Sequence, residues 1–164
     1  MRFQSRIPIR VIMPHIKVLF VLLCCFFLIA PAHAGVTVVQ ALSFGEFVVK
    51  RNDAQYDITV NSNGSYTFDS AGFIEIAPPQ QGIFDLDGMT PFTPVLSVTV
   101  TQTSPLAGSG ENLQMVNLQE THDVAVSASG VVRVSVGGTA RTSGSGNPYL
   151  DQTYNGQLEI QINF

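Results

Sequence analysis

The chain has 164 residues, of which 45% are apolar and 12% charged, and its formal net charge is −4. An acidic chain with only eight Lys and Arg residues makes nucleic acid and anionic lipid poor partners, because a polyanion must be met by clustered basic side chains.

Residues 1–34 resemble a secretory signal peptide. The first 17 residues carry four basic and no acidic side chains, the apolar run VLFVLLCCFFLIA follows, and Ala32-His33-Ala34 forms a small-residue cleavage pattern. The apolar run is shorter than the roughly 20 residues that a spanning helix needs. We therefore expect cleavage after Ala34, no membrane span in the mature chain, and secretion to the periplasm, the cell surface or the extracellular medium.

Cleavage changes both the charge and the cysteine content. Residues 35–164 keep four basic and twelve acidic side chains, which gives a net charge of 4 minus 12, or −8. Cys24 and Cys25 leave with the signal peptide, so the mature chain has no disulfide, thiol nucleophile or thiolate metal site. Residues 35–164 suffice for one domain that buries a core without covalent cross-links.

The mature chain lacks helical periodicity and is rich in β-branched residues and turn formers, which predicts an all-β protein. The candidate strands are 36–39, 44–50, 56–60, 65–68, 73–76, 82–86, 95–101, 112–118, 123–128, 131–136 and 157–164. Short strands with turn signals every 8 to 12 residues or so predict a single immunoglobulin-like β-sandwich, with a closed barrel as the alternative. The segments 108–112 and 141–153 are predicted to be exposed loops.

Glycine-containing pairs mark the expected turns and irregularities. Asn63-Gly64 separates two strand patterns and predicts a tight hairpin, and Ser129-Gly130 makes a weaker case of the same kind. Gly137-Gly138 follow VVRVSV without a break, which predicts a bulge or a close backbone approach. Gly156, just before the last strand, is a further candidate structural position.

The last strand has the clearest alternation in the chain. Its apolar residues share one face and its polar residues the other, so the apolar set is expected to face a core, with Phe164 inside. The apolar set is Leu158, Ile160, Ile162 and Phe164. This segment is either an ordinary final strand or one that lines an acceptor groove for a partner strand.

The first strand carries Val36 and Val38 on one side, while Val39 breaks the alternation. Two interpretations stand beside each other. The segment pairs within its own domain as a first strand, or it donates itself to a neighbouring subunit with Val36 and Val38 as anchors.

Candidate chemistry is sparse. His122, Asp123 and Ser127 lie almost contiguously, whereas the members of a catalytic triad normally converge from separate elements, and a solvated loop histidine is the simpler interpretation. Asp85-Leu86-Asp87-Gly88 resembles the start of a calcium loop but lacks the downstream glutamate, and instead predicts a strand followed by a turn. We expect no catalytic residue, no metal and no cofactor.

Sugar binding by exposed aromatic side chains is the second class of function. The chain has no Trp, and the four tyrosines are Tyr56, Tyr66, Tyr149 and Tyr154. Strand tyrosines are more often half-buried packing residues than binding platforms. A stand-alone secreted module for carbohydrate or matrix therefore remains the alternative.

Four motifs in order resemble the bacterial DUF4402 domain family over nearly all of residues 42–164. They are Leu42-Ser43-Phe44-Gly45, Phe84-Asp85-Leu86-Asp87-Gly88, Val136-Gly137-Gly138-Thr139 and Tyr154-Asn155-Gly156 before the final strand, which ends here in Phe164. The family is similar to the major subunits of Mat/Ecp-type fimbriae and, more distantly, to chaperone–usher pilins. The resemblance implies a structural or adhesive subunit of surface fibres, with other copies of itself and a periplasmic chaperone or usher as partners.

Overall fold

The computed structural model describes residues 35–164, and this range forms ten β-strands without a helix. In chain order they are β1 (Gly35–Gln40), β2 (Glu46–Val49), β3 (Asp57–Val60), β4 (Tyr66–Phe68), β5 (Phe73–Ala77), β6 (Gly82–Asp87), β7 (Ser97–Ala107), β8 (Gln114–His122), β9 (Val132–Arg141) and β10 (Asn155–Asn163). All of their pairings are antiparallel, so the all-β prediction is confirmed. The predicted signal peptide lies outside the described residues.

Strand β9 is the centre of the largest sheet. One of its edges pairs with β8, and the other pairs first with β6 over 132–136 and then with β3 over 138–141. Strand β1 extends the sheet beyond β6, and β4 extends it beyond β3. Nothing within the described range has the length and hydrophobicity of a bilayer-spanning helix.

One face of this sheet carries the apolar core. The alternating Val132, Val134 and Val136 of β9 have no solvent-exposed surface and form a cluster with Leu86 and Val98. The two-stranded sheet of β7 and β10 packs its apolar side chains onto this cluster. The core therefore lies between two layers of strands.

The same face continues at the other end of the sheet under a second two-stranded sheet, β2 and β5. Phe68 of β4 lies opposite Ile58, which lies opposite Ala140, so all three share the face. Phe47 packs edge-on against Phe68 and Phe73, with ring centroids 5.3 and 5.8 Å apart. Aromatic packing thus holds β2 and β5 on the sheet.

The opposite face of the sheet is polar and carries cross-strand pairs. Arg133 donates two hydrogen bonds to the carboxylate of Asp85 directly opposite it, at 2.7 and 2.8 Å. These bonds hold the pKa of Asp85 below its ordinary value. Arg141 likewise donates two hydrogen bonds to the carboxylate of Asp57, each 2.7 Å long. Pairs of this kind fix strand register, although exposed ion pairs contribute little stability.

Two predicted strand boundaries are wrong in an informative way. Strand β7 runs through Pro105 to Ala107, because Pro105 lies where the register with β10 shifts and a ladder can tolerate proline at a bulge. Strand β9 runs through Gly137-Gly138 to Arg141, where the sequence pattern suggested an end at Val136. The extra length lets β9 pair with β3 as well as with β6 and β8, and it brings Leu106 of β7 to Leu113 beside β8.

The predicted strand 123–128 is absent. Within it only Ala125 forms a bridge, to Pro94, and Val124 is 82% exposed. Backbone bonds on both sides of this bridge join the segment to residues 92–95. The pairing becomes irregular at Phe92, whose φ is 62°, and the ladder does not continue. The alternation VAV therefore yields an extended connection and not a strand.

The hairpin at Asn63-Gly64 is present between β3 and β4, with a different turn geometry from the one expected. Only Gly64 has a positive φ, of 85°. Asn63 instead accepts the backbone N–H of Ser65 through its side-chain oxygen, at 3.0 Å. At the second predicted turn, Gly130 has a φ of 78° and donates to the Ser127 carbonyl.

Candidate functional site

The strand pairings around the core cluster form one path with two open ends. A bridge between Leu106 and Leu113 joins β7 to β8, so the order is β10, β7, β8, β9, β6 and β1. Among residues 35–164, β10 has β7 as its one strand partner and β1 has β6 as its one strand partner. Each terminal strand thus presents one edge of unpaired backbone groups, and both edges bound the same apolar core.

Strand β1 pairs within its own chain but leaves its apolar side uncovered. Val36 lies opposite Leu86, and Val38 lies opposite Phe84, so both valines share the face that carries the core. Leu86 is only 7% exposed, whereas Val36 and Val38 are 62% and 58% exposed. The layer that covers β6 and β9 therefore stops short of β1.

Strand β10 confirms the alternation read from the sequence. Leu158, Ile160 and Ile162 pack against the core cluster while remaining partly exposed, and the intervening Glu159 and Gln161 are exposed. These three side chains form the inner face of the strand at the open end of the path.

The expectation that Phe164 lies inside is wrong. Strand β10 ends at Asn163, and Phe164 is 50% exposed. Asn163 pairs with Ser97, which places Phe164 beside Leu96, itself 72% exposed. The inner face of β7 and β10 therefore extends past the core, and its last apolar pair has little beneath it.

Removing the ring of Phe164 should cost little. We expect Phe164→Ala to lower the free energy of unfolding by about 1 kcal/mol or less, since full burial of such a side chain is worth about 1.5–3 kcal/mol. Ile162→Ala is the matched control and should cost about 2–4 kcal/mol, because Ile162 packs on the core cluster. Urea denaturation of the two variants measures the difference, and equal losses would contradict the exposed position of Phe164.

The paired glycines of β9 differ in their surroundings. A Cβ on Gly137 would lie 2.3 Å from the carbonyl oxygen of Val60, which is backbone. A Cβ on Gly138 would lie 3.1 Å from Leu118 Cδ2, the end of a flexible side chain. Of the two, Gly137 is thus the position of closest backbone approach.

Gly156 lies at an irregularity of the last strand. The register of β10 with β7 shifts on either side of Gln157, the residue after Gly156.

His122, Asp123 and Ser127, which the sequence places close together, do not form a catalytic triad in the structure. His122 is the last residue of β8 and not a loop residue, and its Nδ1 lies 2.7 Å from Glu120 Oε2. Asp123 accepts the backbone N–H of Arg133, while the Ser127 hydroxyl contacts Ser129. Asp123 and Ser127 do line a shallow cleft with Asp85 and Arg133, yet their polar atoms are engaged in these structural bonds.

The calcium-like segment forms the end of β6 and a turn, as its sequence indicated. Asp85 is bound by Arg133, and Asp87 accepts the backbone N–H of Gly35 at 3.0 Å. Gly88 follows with a φ of 80°. In the part of the chain that the structure describes, no group of three or more His, Cys, Asp or Glu residues is placed to hold a metal ion.

The tyrosine hydroxyls serve local structure. Tyr56 and Tyr66 donate to the carboxylates of Asp53 and Glu75, and the bond to Glu75 raises the pKa of Tyr66. Tyr149 accepts from the backbone of Ser143 and donates to the Asn112 carbonyl, and Tyr154 donates to the Leu150 carbonyl. These side chains hold loops and strands in place.

A buried polar side chain that the sequence analysis did not single out organises the loop after β9. Asn52 is 6% exposed, and its amide nitrogen donates to the Ser143 and Ser145 hydroxyls and to the Asn147 carbonyl. Asn147 and Ser145 also donate to Glu111, which lowers the pKa of that carboxyl. The loop between β9 and β10, residues 142–154, is thus tied to two distant segments, and its Thr142 is buried where the sequence predicted an exposed loop.

Comparisons with known proteins do not place the chain in a family. A scan against protein-family models found no match, and searches of curated proteins and of solved structures found none either. The resemblance to DUF4402 domains therefore rests on the four motifs alone.

Proposed function

We propose that the chain is a secreted structural or adhesive subunit of a bacterial surface fibre, built on an immunoglobulin-like β-sandwich with one open side. Subunits join by strand addition: β1 of one copy enters the open side of the next, beside β10. In the producing cell, a periplasmic chaperone or usher holds the open side before assembly.

The observation that carries this proposal is the open pairing path. Strands β1 and β10 are its two ends, and each offers an unpaired backbone edge above apolar side chains that are half covered. An added strand would pair with such an edge and cover alternate side chains, which is the general mode of β-strand addition. A head-to-tail contact between β1 and β10 joins two different surfaces, so it generates a chain of subunits rather than a closed dimer.

The test uses protein that begins at Gly35, and its readout is oligomeric state. We expect the wild type to form oligomers that grow with concentration and to appear as fibres or aggregates, as measured by light scattering and electron microscopy. The double variant Val36→Asn, Val38→Asn should stay monomeric, because the incoming strand loses both apolar anchors. It should still fold, since both valines are already more than half exposed.

Thr37→Asn is the matched control. Thr37 is exposed on the opposite side of β1, where it pairs with Asp85, so this variant should assemble like the wild type. A wild type that remains monomeric at high micromolar concentration would overturn the proposal. It would then favour the stand-alone module, whose carbohydrate or matrix ligand could be sought on a glycan array.

A further inference from the structure

The first residue of β1 is held by a carboxylate. Gly35 lies opposite Asp87, the last residue of β6, and its backbone nitrogen donates to Asp87 Oδ1 at 3.0 Å. A Cβ at position 35 would lie 2.6 Å from that oxygen, so the lack of a side chain lets the carboxylate reach the nitrogen. Among the described residues, no basic side chain forms an ion pair with Asp87.

Signal-peptide cleavage would change the charge of this contact. In the precursor, the nitrogen of Gly35 belongs to a neutral amide. Hydrolysis of the Ala34–Gly35 peptide bond by water and a signal peptidase leaves a carboxylate on Ala34 and an α-amino group on Gly35. That group has an ordinary pKa of about 7.7–8.0, so it is mostly a positively charged ammonium at neutral pH.

We propose that the ammonium group created by cleavage at Gly35 forms an ion pair with Asp87, and that this Gly35–Asp87 latch holds β1 on β6 more tightly in the processed protein than in the precursor. A charged donor makes a stronger hydrogen bond to a carboxylate than the neutral amide does. The processing step thus strengthens a contact that the precursor already has in a weaker form.

The latch matters because the rest of β1 is weakly held. Its valines are exposed, and it pairs along one edge, so few buried contacts oppose its departure. The consequence for fibre growth rests on the proposed function: the latch would set how readily β1 leaves its own β6 to enter another copy. The ion pair itself requires no assembly and can be tested on monomeric protein.

The test is a double-mutant cycle on residues 35–164 carrying the Val36→Asn and Val38→Asn changes that prevent assembly. The cycle compares four proteins: Asp or Asn at position 87, each combined with either a free or an acetylated α-amine on Gly35. Asn keeps the shape and the acceptor oxygen, and acetylation restores the amide. We expect Asp87→Asn to lower the folded-to-unfolded ratio about two- to fivefold with the free amine and to leave it nearly unchanged with the acetylated one.

A second measurement, the rate at which the α-amine of Gly35 is acylated, does not depend on the free energy of unfolding. An α-amine engaged with Asp87 should be acylated more slowly than the α-amine of the Asp87→Asn variant, by about threefold or more, with Lys50 as the internal reference. Equal stability losses in both amine forms, or equal acylation rates, would overturn the latch. So would an intact mass showing that the secreted protein begins at a residue other than Gly35. Failure of fibre formation alone would overturn only the proposed function.

Discussion

Gly137→Ala should abolish the folded protein. The new Cβ would sit 2.3 Å from the Val60 carbonyl oxygen and 2.6 Å from backbone atoms of Asn61 and Ser62. Backbone atoms cannot move aside as a side chain can, and they belong to the end of β3 and its hairpin. Separation of β3 from β9 would expose Val60 and Ile58, which are 0% and 3% exposed, so we expect a loss of about 4 kcal/mol or more.

Gly138→Ala is the matched control in the same strand. Its Cβ would meet Leu118 Cδ2 at 3.1 Å, and a rotamer change of Leu118 can relieve this contact, so a loss of about 1 kcal/mol is expected. The larger Gly138→Val should lower the folded yield through overpacking. Soluble yield and urea midpoints measure the series. Equal tolerance of Ala at both positions would contradict the close approach of Gly137 to β3.

Ile160→Asp is the second substitution with a large expected effect. Ile160 lies opposite Val100 and packs on the core cluster, so the substitution places a charge without a partner against apolar side chains. Such a charge costs several kcal/mol, and we expect the unfolding free energy to fall by about 3 kcal/mol or more. Circular dichroism during urea denaturation follows this loss.

The neighbouring Gln161→Asp tests whether the periodicity of β10 is what matters. Gln161 is on the exposed face, where its amide donates to Glu159 at 2.9 Å. Loss of that bond and weak repulsion from Glu159 should cost less than about 1 kcal/mol, because both groups are solvated. If neither Ile160→Asp nor Gln161→Asp lowered the unfolding free energy, β10 would not be packed on the core. The proposed acceptor edge would then have no basis.

Sequence patterns over a few residues predicted the features that depend on neighbouring residues, namely strand faces and tight turns. Alternation in 158–164 identified the inner face of β10, and Asn63-Gly64 located the hairpin of β3 and β4. The same alternation misplaced Phe164, because periodicity gives the direction of a side chain but not how far the core extends beneath it. Val36 and Val38 likewise point to the core side while staying exposed.

Contacts between distant segments could not be predicted from the sequence. Asn52 is buried by partners more than 90 positions later in the chain, and an isolated Asn between charged residues gives no sign of this. The open path between β1 and β10 likewise follows from which strands pair, since the two strands lie at opposite ends of residues 35–164. Neither arrangement has a local periodicity that would reveal it.

Disulfide cross-linking between copies tests the addition of β1 beside β10 most directly. Residues 35–164 contain no cysteine, so Thr37→Cys in one copy can be mixed with Glu159→Cys, Gln161→Cys or Asn163→Cys in another. Paired strands bring opposite Cβ atoms to about 4.5–5.5 Å, close to disulfide reach, and three positions sample the unknown register. Under mild oxidation we expect one pairing to give mixed dimers well above a Ser109→Cys loop control. Cross-linking no higher than that control at all three positions would contradict strand addition.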